Sequence, residues 1–250
     1  MQFHRRRSSS WSVVRNLLIV TAFAPLFAGA FLGEARSQTA ASAAQGQYPI
    51  GDVSISIPAP PGQGMVEYGD GRSYFDPAVI ANNRLMAAFV LEADAPALHS
   101  AAKQIHPPYA LVETVRGVEN SAVSANDFKN LVDVTTELSG IKFDSSFKES
   151  DSEFNERMKG MNLNAQLASG NPVILGTFFL KTDAYSFAKL ASVTANGTTI
   201  HLIAATILLR VKSRFVFVYY DSEYKDEQSP GQVRAVCAQW ADAILAANPQ

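Results

Sequence analysis

The chain has 250 residues, 21 Lys or Arg against 23 Asp or Glu, and one cysteine, Cys237. A single thiol excludes an internal disulfide framework, so the fold must be held by packing, and a chain of this length can bury most of its unfolded surface around one core. Five basic residues and one acid lie in the first 43 positions, leaving residues 44–250 with a net charge of −6, a balance that argues against sequence-independent nucleic-acid binding.

The N-terminus reads as an export signal. Met1–Asn16 carries Arg5, Arg6, Arg7 and Arg15 with no acid, and Leu17–Leu32 then runs without charge. A basic head, a short apolar stretch and a small-residue tail are the parts of a secretory signal peptide. Ala41-Ser42-Ala43 supplies an Ala-x-Ala cleavage site, which puts the mature start near Ala44. The apolar stretch falls short of the roughly 20 residues that span a bilayer, and a retained anchor is the competing reading. A mitochondrial transit peptide would be amphipathic where this stretch is continuously apolar. Arg6-Arg7 is followed by serines where a twin-arginine signal expects a bulky apolar residue, and no cysteine near the cleavage region allows lipid attachment. The expectation is a leader over 1–43 and one globular domain over 44–250, periplasmic or secreted, with membrane contact through the leader alone.

In the mature chain, Asp52–Ile57 alternates polar and apolar residues, as a half-buried strand does. Pro58, Pro60 and Pro61 end it, and the residues 66–83 read as irregular, with Gly69-Asp70-Gly71 a turn and Asp76-Pro77 a helical start. Arg84–Glu92 and Tyr109–Val118 are the next two strands, separated by a weakly helical Ala95–Ile105. Ser124 opens a helix as its N-cap, Asp127 complements the cap, and Gly140 stops it. Its apolar face is Phe128, Leu131, Val132 and Leu138. Residues 144–167 are polar, with a partly exposed helix expected around Glu149–Met161.

From Pro172 the chain turns β-branched and aromatic. Val173–Leu180, Tyr185–Val193, Thr199–Val211 and Arg214–Tyr220 are four strands in succession. Asn196-Gly197 is a strong hairpin signal, and Lys212-Ser213 is a second tight connection, so the segment is an antiparallel meander. A last helix is capped by Ser229, begins on Pro230 and buries Val233, Val236, Cys237, Trp240 and Ile244 at three-and-four spacing before Asn248-Pro249. The fold class is α+β: an antiparallel sheet of N-terminal strands and a four-strand C-terminal meander, flanked by helices.

No motif in the chain carries chemistry outright. His99 and His106 lack the i, i+4 spacing of a zinc helix, and His201 stands alone in a strand. Cys237 sits mid-helix on an apolar face, away from the basic surroundings that activate a thiol. Gly62-Gln63-Gly64 lacks the third glycine of a dinucleotide loop, and no phosphate loop or nucleophile elbow exists. Asp70 and Asp76 do not have the spacing of an EF-hand. Glu149, Asp151, Glu153 and Glu156 read as a solvated helix face. Asn196-Gly197-Thr198 matches a glycosylation sequon that the hairpin already explains. No catalytic, metal or cofactor residue is assigned. Tyr219, Tyr220, Tyr224 and Trp240 gather aromatic area where the last strand meets the last helix, and an exposed member of that set is where a binding surface is expected.

The second half, 172–247, resembles the C-terminal part of Mog1/PsbP-like domains. The resemblance rests on the meander, the basic turn Arg210-Val211-Lys212-Ser213-Arg214 before the aromatic strand Phe215–Tyr220, and the closing helix with Trp240; Ile55–Pro58 fits the family's opening strand. It implies a Mog1/PsbP-like sandwich and a non-enzymatic accessory or binding role, with no catalytic residues to transfer. The leading expectation is therefore an exported accessory protein that binds a protein or small-molecule partner in the cell envelope. A conserved, electronegative pocket with titratable residues would argue against it. The alternatives are a small hydrolase or ligand-binding enzyme assembled from distant residues, for example His99 or His106 with Asp94, and a tethered structural protein that keeps its leader.

Overall fold

The computed structural model describes residues 46–249, except 69–74, 76–78, 80–81, 97–104, 142–143, 169 and 196–197. The leader, the turn at Gly69-Asp70-Gly71, Asp76, His99 and the Asn196-Gly197 turn lie outside the described residues.

The strands are β1 (Gln47–Ile50), β2 (Val53–Ser56), β3 (Met65–Glu67), β4 (Asn83–Leu91), β5 (Tyr109–Val115), β6 (Val173–Lys181), β7 (Ala184–Ala195), β8 (Thr198–Val211) and β9 (Arg214–Glu223). The helices are α1 (Ala125–Leu138), α2 (Asp151–Gly160), α3 (Leu163–Leu167) and α4 (Ser229–Ala246). Seven strands form one antiparallel sheet in the order β3-β4-β5-β9-β8-β7-β6. The meander β6–β9 thus pairs each strand with the next, and β9 returns beside β5. This is the α+β arrangement the sequence predicts, with β7 and β8 paired from Ala184–Leu209 to Ala195–Thr198. Lys212 and Ser213 both take positive φ, 46° and 56°, which closes the β8–β9 hairpin tightly.

Two differences sit at the N-terminal end. The strand expected over 52–57 is the second arm of a separate hairpin, β1–β2, turning at Gly51. Gly51 has φ +59°, and a Cβ there would lie 2.5 Å from the Glu119 carbonyl oxygen. The segment read as irregular over 66–83 opens inside the short edge strand β3, which residues flanked by loop signals on both sides do not announce.

Side chains alternate across the sheet, and each face carries its own core. The first face packs Phe89, Val112, Ile203, Ile207, Val218 and Tyr220 against α2, α3, α4 and the β1–β2 hairpin. Trp240, fully buried, meets Phe89 edge-on at 5.6 Å and donates its Nε1–H to the Pro58 carbonyl at 2.7 Å. Asn248 is buried where the sequence predicts only a helix stop. Its Oδ1 accepts from the Ser56 amide, and its Nδ2 donates to the carbonyls of Ser56 and Ile244, so α4 is tied to β2. On the second face, α1 lays Phe128, Leu131 and Val132 over Tyr185, Phe187, Phe215 and Phe217. Leu138, assigned by its spacing to the apolar face of α1, is 49 % exposed at the last turn.

The caps follow local chemistry. Ser124 and Asp127 form a reciprocal capping box at α1, as Ser150 and Glu153 do at α2. At α4 the sequence expectation is corrected. Ser229 is the first helical residue, not its cap, and the Asp226 carboxylate accepts from the amides of Gln228 and Ser229. Aspartate is the stronger acceptor for the exposed amides at a helix start.

Candidate functional site

The second face of the sheet is not uniformly apolar. Between the α1 core and a smaller cluster of Phe75, Leu85, Ala88, Val90 and Leu111, the strand register brings polar side chains together. Lys189 on β7 faces Ala204 on β8, Ala204 faces Asp221 on β9, and Asp221 faces Tyr109 on β5. Directly paired residues point to the same side, so these four form one row across the sheet. The neighbouring row holds Phe187, Thr206, Tyr219 and Leu111, and the next holds Leu208, Phe217 and Glu113.

Asp221 is 7 % exposed and Glu113 4 %. Burial pushes the Asp221 carboxyl up to about 6, against the lowering effects of a hydrogen bond from Tyr109 and the charge of Lys189. Burial likewise pushes Glu113 up to about 7, opposed by the Asn83 side chain, whose Nδ2 donates to Oε2 at 2.7 Å. Tyr219, half-buried between the two acids, is driven well above the usual tyrosine value by burial and then by Glu113 and Asp221. Lys189 is half-buried, and loss of solvent lowers its pKa more than Asp221 raises it. Two acceptors on this face, Asp221 Oδ1 and Asn83 Oδ1, are buried without a hydrogen-bond partner among the described residues. Buried polar atoms are almost always satisfied in native proteins, so an orphaned carboxylate oxygen on an otherwise ordered sheet needs an explanation.

Several residues weighed from the sequence lie elsewhere. His106 Nδ1 stands 3.6 Å from Asp94 Oδ1, beyond hydrogen-bond reach, and its side chain is 60 % exposed, so the two form a surface ion pair at most. His201 Nδ1 is 2.9 Å from the Ser192 hydroxyl across β7–β8, a cross-strand pair. Cys237 is fully buried in the first-face core, and burial pushes its thiol up, away from nucleophilic use. Tyr220, Tyr224 and Trp240 are core on that same face, and Tyr220 OH donates to Gln63 Oε1 at 3.2 Å. Tyr219 alone of the four remains half-exposed, and it borders the polar row.

The acidic run divides. Asp151 and Glu156 are solvated, as the charge run predicts, with side chains 92 % and 73 % exposed. Glu149 is 14 % exposed, and that part of the expectation is overturned. Its carboxylate accepts from Arg157 Nε at 2.8 Å and Nη2 at 3.0 Å, and from Arg234 Nη1 at 3.1 Å. Both guanidinium groups lie over the Phe154 ring, at 4.9 and 4.5 Å from its centroid. This cluster joins α2 to α4 and is structural. Among the described residues no group of three or more His, Cys, Asp or Glu could hold a metal ion, and no helix is long and apolar enough to cross a membrane.

The fold is an α+β antiparallel sheet with helices on both faces, and solved structures that align with part of it include two of Mog1. The Ran-binding protein Mog1p of Saccharomyces cerevisiae is 10 % identical over 77 % of this chain and 87 % of its own, at a TM-score of 0.31. A point mutant of the protein Mog1 is 11 % identical over 80 % and 93 %, at 0.30. LpqN, involved in cell envelope biogenesis of Mycobacterium tuberculosis, is 12 % identical over 67 % and 78 %, at 0.23. No family model and no curated protein sequence matches the chain. No residue role is carried across these alignments.

Proposed function

We propose that this chain is an exported, non-enzymatic binding protein whose small-molecule ligand lies on the second face of the sheet, over the row Lys189, Ala204, Asp221 and Tyr109. One observation carries the reading: Asp221 presents a buried carboxylate oxygen with no hydrogen-bond partner among the described residues, in a row that also holds a half-buried lysine. A ligand donor would satisfy that oxygen, and Ala204 between the two charged side chains keeps the middle of the row small. A buried cluster of titratable groups counts against the purely accessory reading of the sequence and favours its ligand-binding alternative. The pair of His106 and Asp94 offers no comparable support.

Export is supported by the leader, with its basic head, apolar stretch and Ala41-Ser42-Ala43. Two measurements test the whole. Intact mass of the protein from a periplasmic fraction is expected to place the N-terminus near Ala44; a chain beginning at Met1 in the membrane fraction overturns export. Equilibrium dialysis against a periplasmic metabolite extract, read by mass spectrometry, is expected to retain a small polar compound with the wild type and to lose it with Asp221→Asn. Retention that is absent, or unchanged by the substitution, overturns the site.

A further inference from the structure

We propose that the cleft between the end of β9, the first turns of α4 and the loop around Gln63 is a second binding site, separate from the polar row, and that it takes a small neutral saccharide. The cleft lies on the first face, where the last strand meets the last helix, and holds about 310 Å³, the lower end of what small-molecule sites occupy.

Its frame is held by the protein's own bonds. Tyr220 and Val233 line the cleft and are 2 % and 3 % exposed, so they form its floor. Tyr220 OH donates to Gln63 Oε1 at 3.2 Å, which fixes the amide of that loop residue. The same loop is tied down a few residues earlier, where Trp240 donates to the Pro58 carbonyl. On the helix side, buried Ser229 accepts from the amides of Lys225 and Asp226 and donates to the Asp226 carboxylate, each at 3.1 Å. The turn that leads into α4 is thereby set without any help from a ligand.

The lining decides what can bind. Ser222 enters from β9 and Gln232 from α4, and among the described residues no hydrogen bond engages either side chain. Gln63 Nε2 reaches the Pro61 carbonyl only at 3.5 Å. These hydroxyl and amide groups both donate and accept, and so does each hydroxyl of a sugar. Val233 and Val236 add an apolar patch that suits the C–H face of a sugar ring. Charge argues in the same direction. The rim carries Glu223 and Lys225, exposed and 3.9 Å apart, whose fields largely cancel in solvent. The start of α4 is already taken by the Asp226 carboxylate, which accepts from the amides of Gln228 and Ser229. An anion finds no uncompensated positive end here, and a cation no uncompensated carboxylate. A neutral ligand with many hydroxyls loses nothing by this.

Isothermal titration of the purified protein tests the site, with D-glucose, N-acetylglucosamine and maltose as saccharide probes and glutamate and spermidine as charged ones. At least one saccharide is expected to bind with a Kd below about 10 mM, unchanged within about twofold between roughly 0.05 and 0.5 M NaCl. Gln232→Ala, at an exposed position, is expected to weaken that binding about threefold to tenfold, and Val236→Trp, which fills the cleft, to abolish it. Lys159→Ala on α2 should leave it unchanged. The proposal is overturned if no saccharide binds, if glutamate or spermidine binds more tightly than every saccharide, or if Gln232→Ala leaves the affinity intact. A folded Val236→Trp protein that still binds overturns it too; if that variant does not fold, Gln232→Ala decides. The row on the second face stands or falls separately, because dialysis with Asp221→Asn reads that site and the saccharide titration reads this one.

Discussion

Replacing Glu113 by Gln isolates the electrostatic cost built into the second face. Glu113 is 4 % exposed, and its carboxyl is pushed from the usual 4.5 to about 7 by burial. At about 1.4 kcal/mol for each pH interval of one, holding it ionised costs the native state about 3 kcal/mol. The unfolded chain releases this proton near pH 4.5 and the native chain near 7, so the native form binds more protons across that window. Stability therefore falls as pH rises from about 4.5 to about 7; the penalty is absent below the window and constant above it. Glu113→Gln keeps the shape, can still accept from Asn83 Nδ2, and adds a donor that the unpartnered Asn83 Oδ1 lacks. Urea unfolding at a series of pH values from 4.5 to 8 is the assay. The variant is expected to be more stable than wild type by about 3 kcal/mol at pH 8 and nearly equal at pH 4.5. The weaker slope that remains in the variant is assigned to Asp221, whose carboxyl moves from 3.8 to about 6 with the same sign. Equal pH slopes in the two proteins would refute the reasoning, because they would mean Glu113 titrates alike folded and unfolded.

Two further substitutions probe the frame around the row. Glu149→Ala removes the carboxylate shared by Arg157 and Arg234 and leaves Arg234, 9 % exposed, with only the solvated Asp151 carboxylate at 3.6 Å; the expected loss is about 3 kcal/mol, or roughly 6–12 °C in Tm, and a change under about 0.5 kcal/mol in thermal unfolding counts against a structural role. Gly51→Ala places a methyl at positive φ and 2.5 Å from the Glu119 carbonyl; a loss of about 1–3 kcal/mol is expected from backbone strain and clash, and an unchanged Tm shows that the β1–β2 turn is not held there.

Local chemistry made much of the fold legible. The meander announces itself because each of its strands is long, β-branched or aromatic, and joined to the next by two-residue connections. The caps at Ser124 and Ser150 and the stripe of α4 are equally local. What was not legible depends on pairing at a distance. β3 is three residues long and exists because β4 offers it an edge, and Glu149 is buried by Arg234, which lies 85 residues further along the chain.

The polar row is of that second kind. Lys189 in Ala188-Lys189-Leu190 and Asp221 at the end of an aromatic strand each look like ordinary solvent-facing positions, because the usual reading of a charge in a strand is that its side faces water. That reading holds only if the sheet has one wet face, and here both faces carry a core. The alternation contained a usable sign. Leu111, Glu113 and Val115 share one side of β5, and Phe217, Tyr219 and Asp221 share one side of β9. In each triplet the companions of the acid are apolar or aromatic and buried or half-buried, so the acid is drawn into the interior with them. An acidic residue that keeps step with a buried apolar series must be neutralised, hydrogen-bonded or used. Asn83 answers for Glu113; for one oxygen of Asp221 no hydrogen-bond partner stands among the described residues, and the proposed ligand would supply it.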